Sequence, residues 1–528
     1  MATLGVVLAV LGGAAPVGAT RPVAPTTTTT PKPTTTAAPT APTTAAPTSV
    51  MRLLAQSAAV EPDGRFELTL ALDTPAPPDA ELQVAVHSRL MSRSLFDNAL
   101  DGQRGGIIDS FTYPLADLQA AAAGNAVPLS IPLTTVRKPG QLRITRDGVY
   151  PVRVELRSPD DDVLAGFTTF LVRLAPQPRE APPLQVALVV PFRSPPALQP
   201  DGGVHVAPPE LTRLSGLARA LSAQPQLPLT VVPTPESLAA LGQSDAGAGV
   251  LTRLDAALAG RQVVATPYIE IDLGAMLAAD LDDELDLQFT EGQAALQDGL
   301  GTARPDGRTW LASEPLTAEA VRFLRSRNVD QLVTVEGALS PLQLETTLLN
   351  PTEVVADPAP NTPTAAADAE LSERLGDPGA DPVLAAHQLL AEAVQLFHDN
   401  PGLPRGLVLV APDDWNPPPA FVDTLTATLA AHPLLHAVTL DQWFASVPVL
   451  HEASGAAVTR GLAPASSPAP VGLAAGLRQV RPRLEGFSSM LAVGDPLPAA
   501  LSERLLVASA ASFDRARRDE YLLSLIHI

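Results

Sequence analysis

From residue 183 onward, short runs that are almost wholly apolar alternate with Ala- and Leu-rich stretches of helical period. This alternation constrains the fold more than any other feature. The apolar runs are LQVALVVP (184–191), PLTVV (228–232), QVVATPYI (262–269), TWLA (309–312), QLVTV (331–335), EVVA (353–356), GLVLVA (406–411) and HAVTL (436–440). Helical stretches fall at 208–223, 249–259, 316–327, 381–399 and 418–431. A strand that is apolar on both faces must be covered on both faces, and a parallel sheet with crossover helices does this. About eight such units predict a closed barrel over 183–450, with an open doubly wound sheet as the alternative.

Residues 50–176 have a different texture. FELTLALD (66–73), ELQVAVHSRL (81–90), AVPLSIPL (126–133), QLRIT (141–145), GVYPVRVELRS (148–158) and AGFTTFLVRL (165–174) alternate apolar with polar residues between Gly, Asp and Pro turns. That spacing predicts an antiparallel sandwich, with 93–123 as a long loop carrying a helical turn. Tyr150, in Asp147-Gly148-Val149-Tyr150, has the placement of a corner tyrosine, and Val152, Val154 and Leu156 alternate after it. Punctuation at 461–470 (GLAPASSPAP) makes a linker inside 451–522. The helical pattern that follows it is expected to pack on the barrel.

The N-terminus points to export. LGVVLAVLGGAAPVGA (4–19) has the length of a signal-peptide core and is too short for a bilayer of roughly 30 Å. Val17-Gly18-Ala19 supplies small residues for cleavage after Ala19. The Thr/Pro/Ala tract over 20–49 cannot bury enough apolar surface to fold and reads as a spacer. LSLIHI (523–528) reads as a non-native tail, so the natural chain is expected to continue.

A net charge of −21, with no long basic stripe legible in the sequence, argues against nucleic-acid binding. The lack of cysteine excludes disulfides, thiolate metal sites and cysteine nucleophiles. Scattered histidines offer no ligand spacing, so neither a metal nor another cofactor is expected.

In a barrel, functional groups follow the C-terminal ends of the strands. Those positions give Arg193, Tyr268, Glu270, Asp272, Glu314, Asp413, Asp414, Trp415, Asn416 and Trp443. Glu270, Asp272, Glu314, Asp413 and Asp414 are the candidate catalytic carboxylates. Tyr268, Trp415, Asn416 and Trp443 are the candidate ligand contacts, with aromatic faces covering a sugar ring. Acidic and hydroxyl residues after a strand also suit helix N-caps, a role expected of Thr317 and Asn416.

GVYPVRVEL, VALVVPF, TPYIEIDL and RGLVLVAPDDWNP together resemble the exported actinobacterial envelope proteins catalogued as domain of unknown function 6049, whose genes lie near that of the lipid II flippase. The resemblance implies a longer chain with a C-terminal membrane anchor, and a barrel distantly similar to the glycoside hydrolase/deacetylase superfamily. The expected architecture is multidomain, β plus α/β: an immunoglobulin-like β-sandwich, a TIM-like (β/α) barrel and C-terminal helices. The expected function is a non-catalytic envelope scaffold, outside the cytoplasm, that binds a cell-wall glycan or an envelope-assembly protein. The alternative is a glycoside hydrolase using two carboxylates of the barrel mouth.

Overall fold

Among the described residues, eight strands build the N-terminal part. They are β1 (Met51–Gln56), β2 (Arg65–Leu72), β3 (Glu81–His87), β4 (Ile107–Pro114), β5 (Ala126–Thr134), β6 (Leu142–Arg143), β7 (Gly148–Arg157) and β8 (Val163–Arg173). One sheet runs β1-β2-β5-β6 and the other β4-β3-β7-β8. Leu68, Leu70, Val84, Ile131, Val152 and Val154 belong to one buried cluster drawn from both sheets, as period-two alternation requires. The Tyr150 hydroxyl donates to the Arg146 carbonyl at 2.7 Å, four residues upstream. The segment 93–123 is not the loop expected from sequence. It holds a helix (Arg93–Leu100), the edge strand β4 and a second helix (Leu115–Ala120). Asp109, Ser110 and Thr112 interrupt the apolar run of β4, which concealed it.

This computed structural model describes residues 51–526 apart from 73–76, 78, 121–124, 177–180, 302–303, 343–346, 358–359, 466–469 and 471. The leader, its Ala19 cleavage point and the spacer lie outside the described residues.

The second part is mixed α/β. Its strands are β9 (Leu184–Phe192), β10 (Thr230–Pro233), β11 (Gln262–Val264), β12 (Pro305–Asp306), β13 (Thr309–Leu311), β14 (Gln331–Val335), β15 (Thr352–Val354), β16 (Thr362–Ala367), β17 (Gly406–Val410), β18 (Leu435–Val438) and β19 (Thr459–Arg460). Parallel pairing links β12-β11-β10-β9-β17 and, separately, β13-β14-β16. Two junctions join these into a ring. β12 and β13 follow one another across Gly307-Arg308, and the Asp368 N–H beyond β16 donates to Val408 O of β17 at 3.0 Å. The result is a barrel-like ring with seven strand positions.

Two of the eight expected strands fall outside that ring. EVVA becomes β15, which pairs antiparallel with β16 at its outer side, and the position goes to TPTAAA, a run with little apolar signature. β18 pairs Leu184–Ala187 of β9 while β17 pairs Gln185–Val189. Overlapping partners require opposite edges, so β18 shares an edge of β9 with β10, which takes Val189–Phe192. The helix Leu440–Ser446 then closes the N-terminal end, with Leu440 N–H on Thr230 Oγ1 at 2.9 Å and Asp441 N–H on Gln262 Oε1 at 3.0 Å. Ala187, Val189, Val232, Val264, Val333 and Val408 form the inner core above Trp443.

Helices Pro208–Ala223, Asp245–Leu258, Ala318–Ser326, Pro382–Asp399 and Pro419–Ala431 match the predicted helical stretches within a few residues. Pro382–Asp399 is buried along most of its length because it lies between the sandwich and the barrel. Phe96 stacks on Phe170 at 4.0 Å in the apolar cluster that joins the two parts. Three C-terminal helices, Leu473–Ser488, Leu497–Val507 and Arg515–Ile526, bury Leu477, Val480, Leu505 and Tyr521 with Leu273 and Leu285 of the barrel's helices. Among the described residues, no helix is long and apolar enough to cross a membrane.

Candidate functional site

A cavity of about 420 Å³ opens at the C-terminal ends of the ring strands. Its floor is aliphatic: Val232, Val264, Leu311, Val335, Ala367 and Val410 come from six strands. Its lining also carries Arg193, Glu270 and Asp413 with the hydroxyls of Thr234, Thr266, Ser313, Thr334 and Ser372, of which Thr234 and Thr334 are buried. Contributions from all around the ring to one cavity follow from its closure, since parallel strands end together at one face.

Arg193 organises the rim. Its Nη1 meets Glu270 Oε2 at 2.9 Å and Asp413 Oδ2 at 3.2 Å. Two oxygens on one nitrogen lie no further apart than those distances added, so at most about 6.1 Å. Glu270 also accepts from Ser313 Oγ at 3.3 Å. The backbone around Arg193 is fixed from behind. Buried Arg213 donates to the Arg193 carbonyl and, at 3.4 Å, to the Trp415 carbonyl, and it pairs with Glu210 at 2.6 Å. Ser237 Oγ accepts the Ser194 N–H at 2.9 Å. Glu236, 1% exposed, accepts the N–H groups of Ala197 and Leu198, each at 2.8 Å. Burial pushes the Glu236 carboxyl up to about 7 against those two hydrogen bonds.

Burial raises the Asp413 carboxyl above its ordinary range. Glu270 and Asp414 add to the rise, while Arg193 and Arg213 oppose it. Glu314, exposed at the edge, is raised by partial burial and then by Asp272 and Glu270.

The structure brings Glu270 and Asp413 together and leaves the other sequence candidates outside the cavity. Asp272 is an N-cap, accepting the Ala275 N–H at 2.8 Å for the helix Leu273–Ala278. Asp414 and Asn416 are exposed beside it. Asn416 does not cap the next helix, which starts at Pro419 with Pro418 as its cap. Thr317 does cap Ala318–Ser326.

The expected aromatic contacts are corrected more sharply. Tyr268 is 3% exposed and lines a different recess, with Glu291 and Glu503. Trp415 is 3% exposed, packs with the helices outside the ring, and donates its indole N–H to Leu375 O at 2.9 Å. Trp443 lies at the opposite end of the barrel, so close to Gly406, the first residue of β17, that a Cβ there would collide with its indole nitrogen. Trp310, on β13, was missed because only residues after the strands were read. It lines the cavity, but its ring packs on Phe289 with centroids 5.7 Å apart. The mouth therefore has an aliphatic floor where a stacking platform was expected.

Asp97, Glu370 and Glu392 also approach one another, each offering an oxygen within 4.8 Å of the others. Two guanidiniums already supply the positive charge there. Arg93 reaches Glu370 at 3.2 Å and Glu392 at 2.8 Å, and Arg374 reaches Asp97 at 2.7 Å and Glu392 at 3.0 Å.

No family model matches the chain. No curated protein matches it either. Among solved structures, it is similar to a 4-alpha-glucanotransferase from Thermococcus litoralis at 12% identity and a TM-score of 0.41, over 65% of this chain and 55% of that one. A novel exo-type maltose-forming amylase from Pyrococcus sp. ST04 aligns at 9% identity and 0.41, over 65% and 71%. An alpha-mannosidase from Enterococcus faecalis V583 aligns at 10% and 0.39, over 65% and 41%.

Proposed function

We propose that the chain is an exported cell-envelope protein whose barrel mouth binds a saccharide without hydrolysing it. One observation carries the non-catalytic reading: a single Arg193 nitrogen bridges Glu270 and Asp413. An ion-paired carboxylate is a weaker nucleophile and a weaker general base, and the guanidinium occupies the space a reacting oxygen would need. The mixed aliphatic and hydroxyl lining suits a sugar unit with an apolar substituent, such as an N-acetyl group, with its hydroxyls on the two carboxylates. Export is supported by the apolar run 4–19 and the spacer after it. The short motifs quoted above support membership of the envelope-protein family. An immunoglobulin-like sandwich is supported by β1-β2-β5 facing β4-β3-β7-β8 and by the Tyr150 bond at the start of β7.

A hydrolase remains the second reading, favoured by two facing carboxylates at most about 6.1 Å apart, one of them with a raised pKa. Titration calorimetry with N-acetylated cell-wall saccharides, beside hydrolysis assays on the same compounds, separates the two. Binding that Asp413→Asn weakens about tenfold, with no turnover, is expected, a loss of about 1.4 kcal/mol. Turnover abolished by Glu270→Gln or Asp413→Asn would establish the hydrolase. Residues 1–60 fused to a reporter active only outside the cytoplasm test export, and a reporter retained inside refutes it.

A further inference from the structure

The sandwich holds a second cleft, unrelated to the barrel mouth, of about 950 Å³. One wall is the edge strand β4, with Ile108, Asp109, Ser110 and Phe111. The other is the segment from Arg137 to Arg146, which contains β6, the edge of the opposite sheet. That second wall carries Arg137, Lys138, Arg143 and Arg146, all exposed. Lys138 is one of two lysines in a chain of net charge −21. Among the described residues, none of the four has an ion-pair partner. Four unpaired cations packed into ten residues repel one another, and an anionic occupant relieves that repulsion.

The facing wall says which kind of anion. Among the described residues β4 pairs with β3 alone, so one row of its backbone groups is open. The Ser110 N–H takes the carboxylate of its neighbour Asp109 at 3.0 Å, which puts Ser110 on the open side, and Thr112 with it by alternation, while a bulge opposite Val86 and His87 ends that alternation before Ile108. Ile107 is 61% exposed and Ile108 44% exposed on the same strand. A phosphate polymer or acidic sugar would use the cations and leave the strand edge unmet.

We propose that this cleft binds an extended, acidic segment of a partner protein, which adds to β4 as a further strand. Its backbone pairs with the open edge. Side chains alternate between the two faces of a strand, so carboxylates at every second position point to Arg137, Lys138, Arg143 and Arg146, and the residues between them lie on the opposite face of the added strand.

The test is fluorescence anisotropy of the full chain with a labelled peptide of alternating Glu and Val, about eight residues long to match β4. Comparison probes are the Lys/Val peptide, the Glu/Val peptide N-methylated at alternate amides, and polyphosphate as competitor. Saturable binding of the Glu/Val peptide with a Kd below about 1 mM is expected. It should weaken at least about tenfold in Arg137→Ser/Lys138→Ser/Arg143→Ser/Arg146→Ser, whose exposed positions leave the fold unchanged by circular dichroism, and about tenfold on N-methylation. No saturation, equal binding of the Lys/Val peptide, or equal binding of the N-methylated peptide with displacement by polyphosphate would each overturn the proposal, the last in favour of a polyanion site.

Discussion

Arg93→Met probes the seam between sandwich and barrel. The Arg93 side chain is 14% exposed and donates through Nη1 and Nη2 to Asp368 at 2.6 and 2.7 Å, and through Nε to Glu392 at 2.8 Å. Glu392 is 0% exposed, and its other oxygen meets Arg374 at 3.0 Å. Removing one member of a buried ion pair costs about 3–5 kcal/mol, because the remaining charge stays buried without compensation. Arg374 stays on Glu392 and Arg93 is not fully enclosed, so the low end, about 3 kcal/mol, is expected. Methionine keeps the apolar stem, which limits the packing loss. The pH dependence follows from Glu392. Burial, opposed by Arg93 and Arg374, pushes its carboxyl up to about 7 from an ordinary 4.5, and loss of Arg93 pushes it higher. A folded pKa above the unfolded one means the native state holds a proton that the unfolded state releases. That stabilisation is complete below 4.5 and is lost as pH rises through about 7. The deficit of the variant should therefore be larger at pH 8 than at pH 5. Urea titrations followed by circular dichroism at both pH values measure it, and Arg93→Met/Glu392→Gln should recover much of the loss at pH 8 by removing the stranded charge. A deficit under about 1 kcal/mol at pH 8, or one unchanged at pH 5, would refute the reasoning.

Burial pushes His387 and His432 down to about 4, so both are neutral in the native state while the unfolded chain protonates near 6.5. Stability should fall as pH drops from 6.5 to 4, by about 3 kcal/mol per histidine at the lower limit, and His387→Gln should flatten that slope in urea titrations. Gly292→Ala places a Cβ against the Thr266 carbonyl and the Tyr268 N–H, so a loss of about 1–3 kcal/mol in urea titrations is expected. Trp415→Phe removes the indole bond to Leu375 O and should cost about 1–2 kcal/mol of stability while leaving saccharide affinity intact. A large affinity loss in that variant would return Trp415 to the binding site.

What the sequence made legible, and what it hid, divides along the range of the forces involved. VALVV of β9 and LVLV of β17 announce themselves because both faces are covered, and the predicted helices carry their own period and caps, as Thr317 does. β16 gave no such sign. Its inward Ala365 and Ala367 are small, in keeping with a narrow interior that Val189 and Val333 already share, and EVVA next to it looked more like a core strand than the strand that took the place. The site failed for a related reason. Position after a strand places a residue near the mouth but leaves its direction open. Glu270 and Asp413 turn inward to Arg193, whereas Trp415, two residues past Asp413, turns outward because Leu375 offers a carbonyl behind the rim. Whether an aromatic beside a carboxylate faces a ligand or a helix depends on partners far away in sequence. Trp415 needs Leu375, Arg193 needs both Glu270 and Asp413, and Trp443 needs a glycine at Gly406 to fit at all. The acidic, aromatic-rich stretch DDWN therefore carried a true signal about position and a false one about chemistry, and only the ring closed by β16 and β17 separates the two.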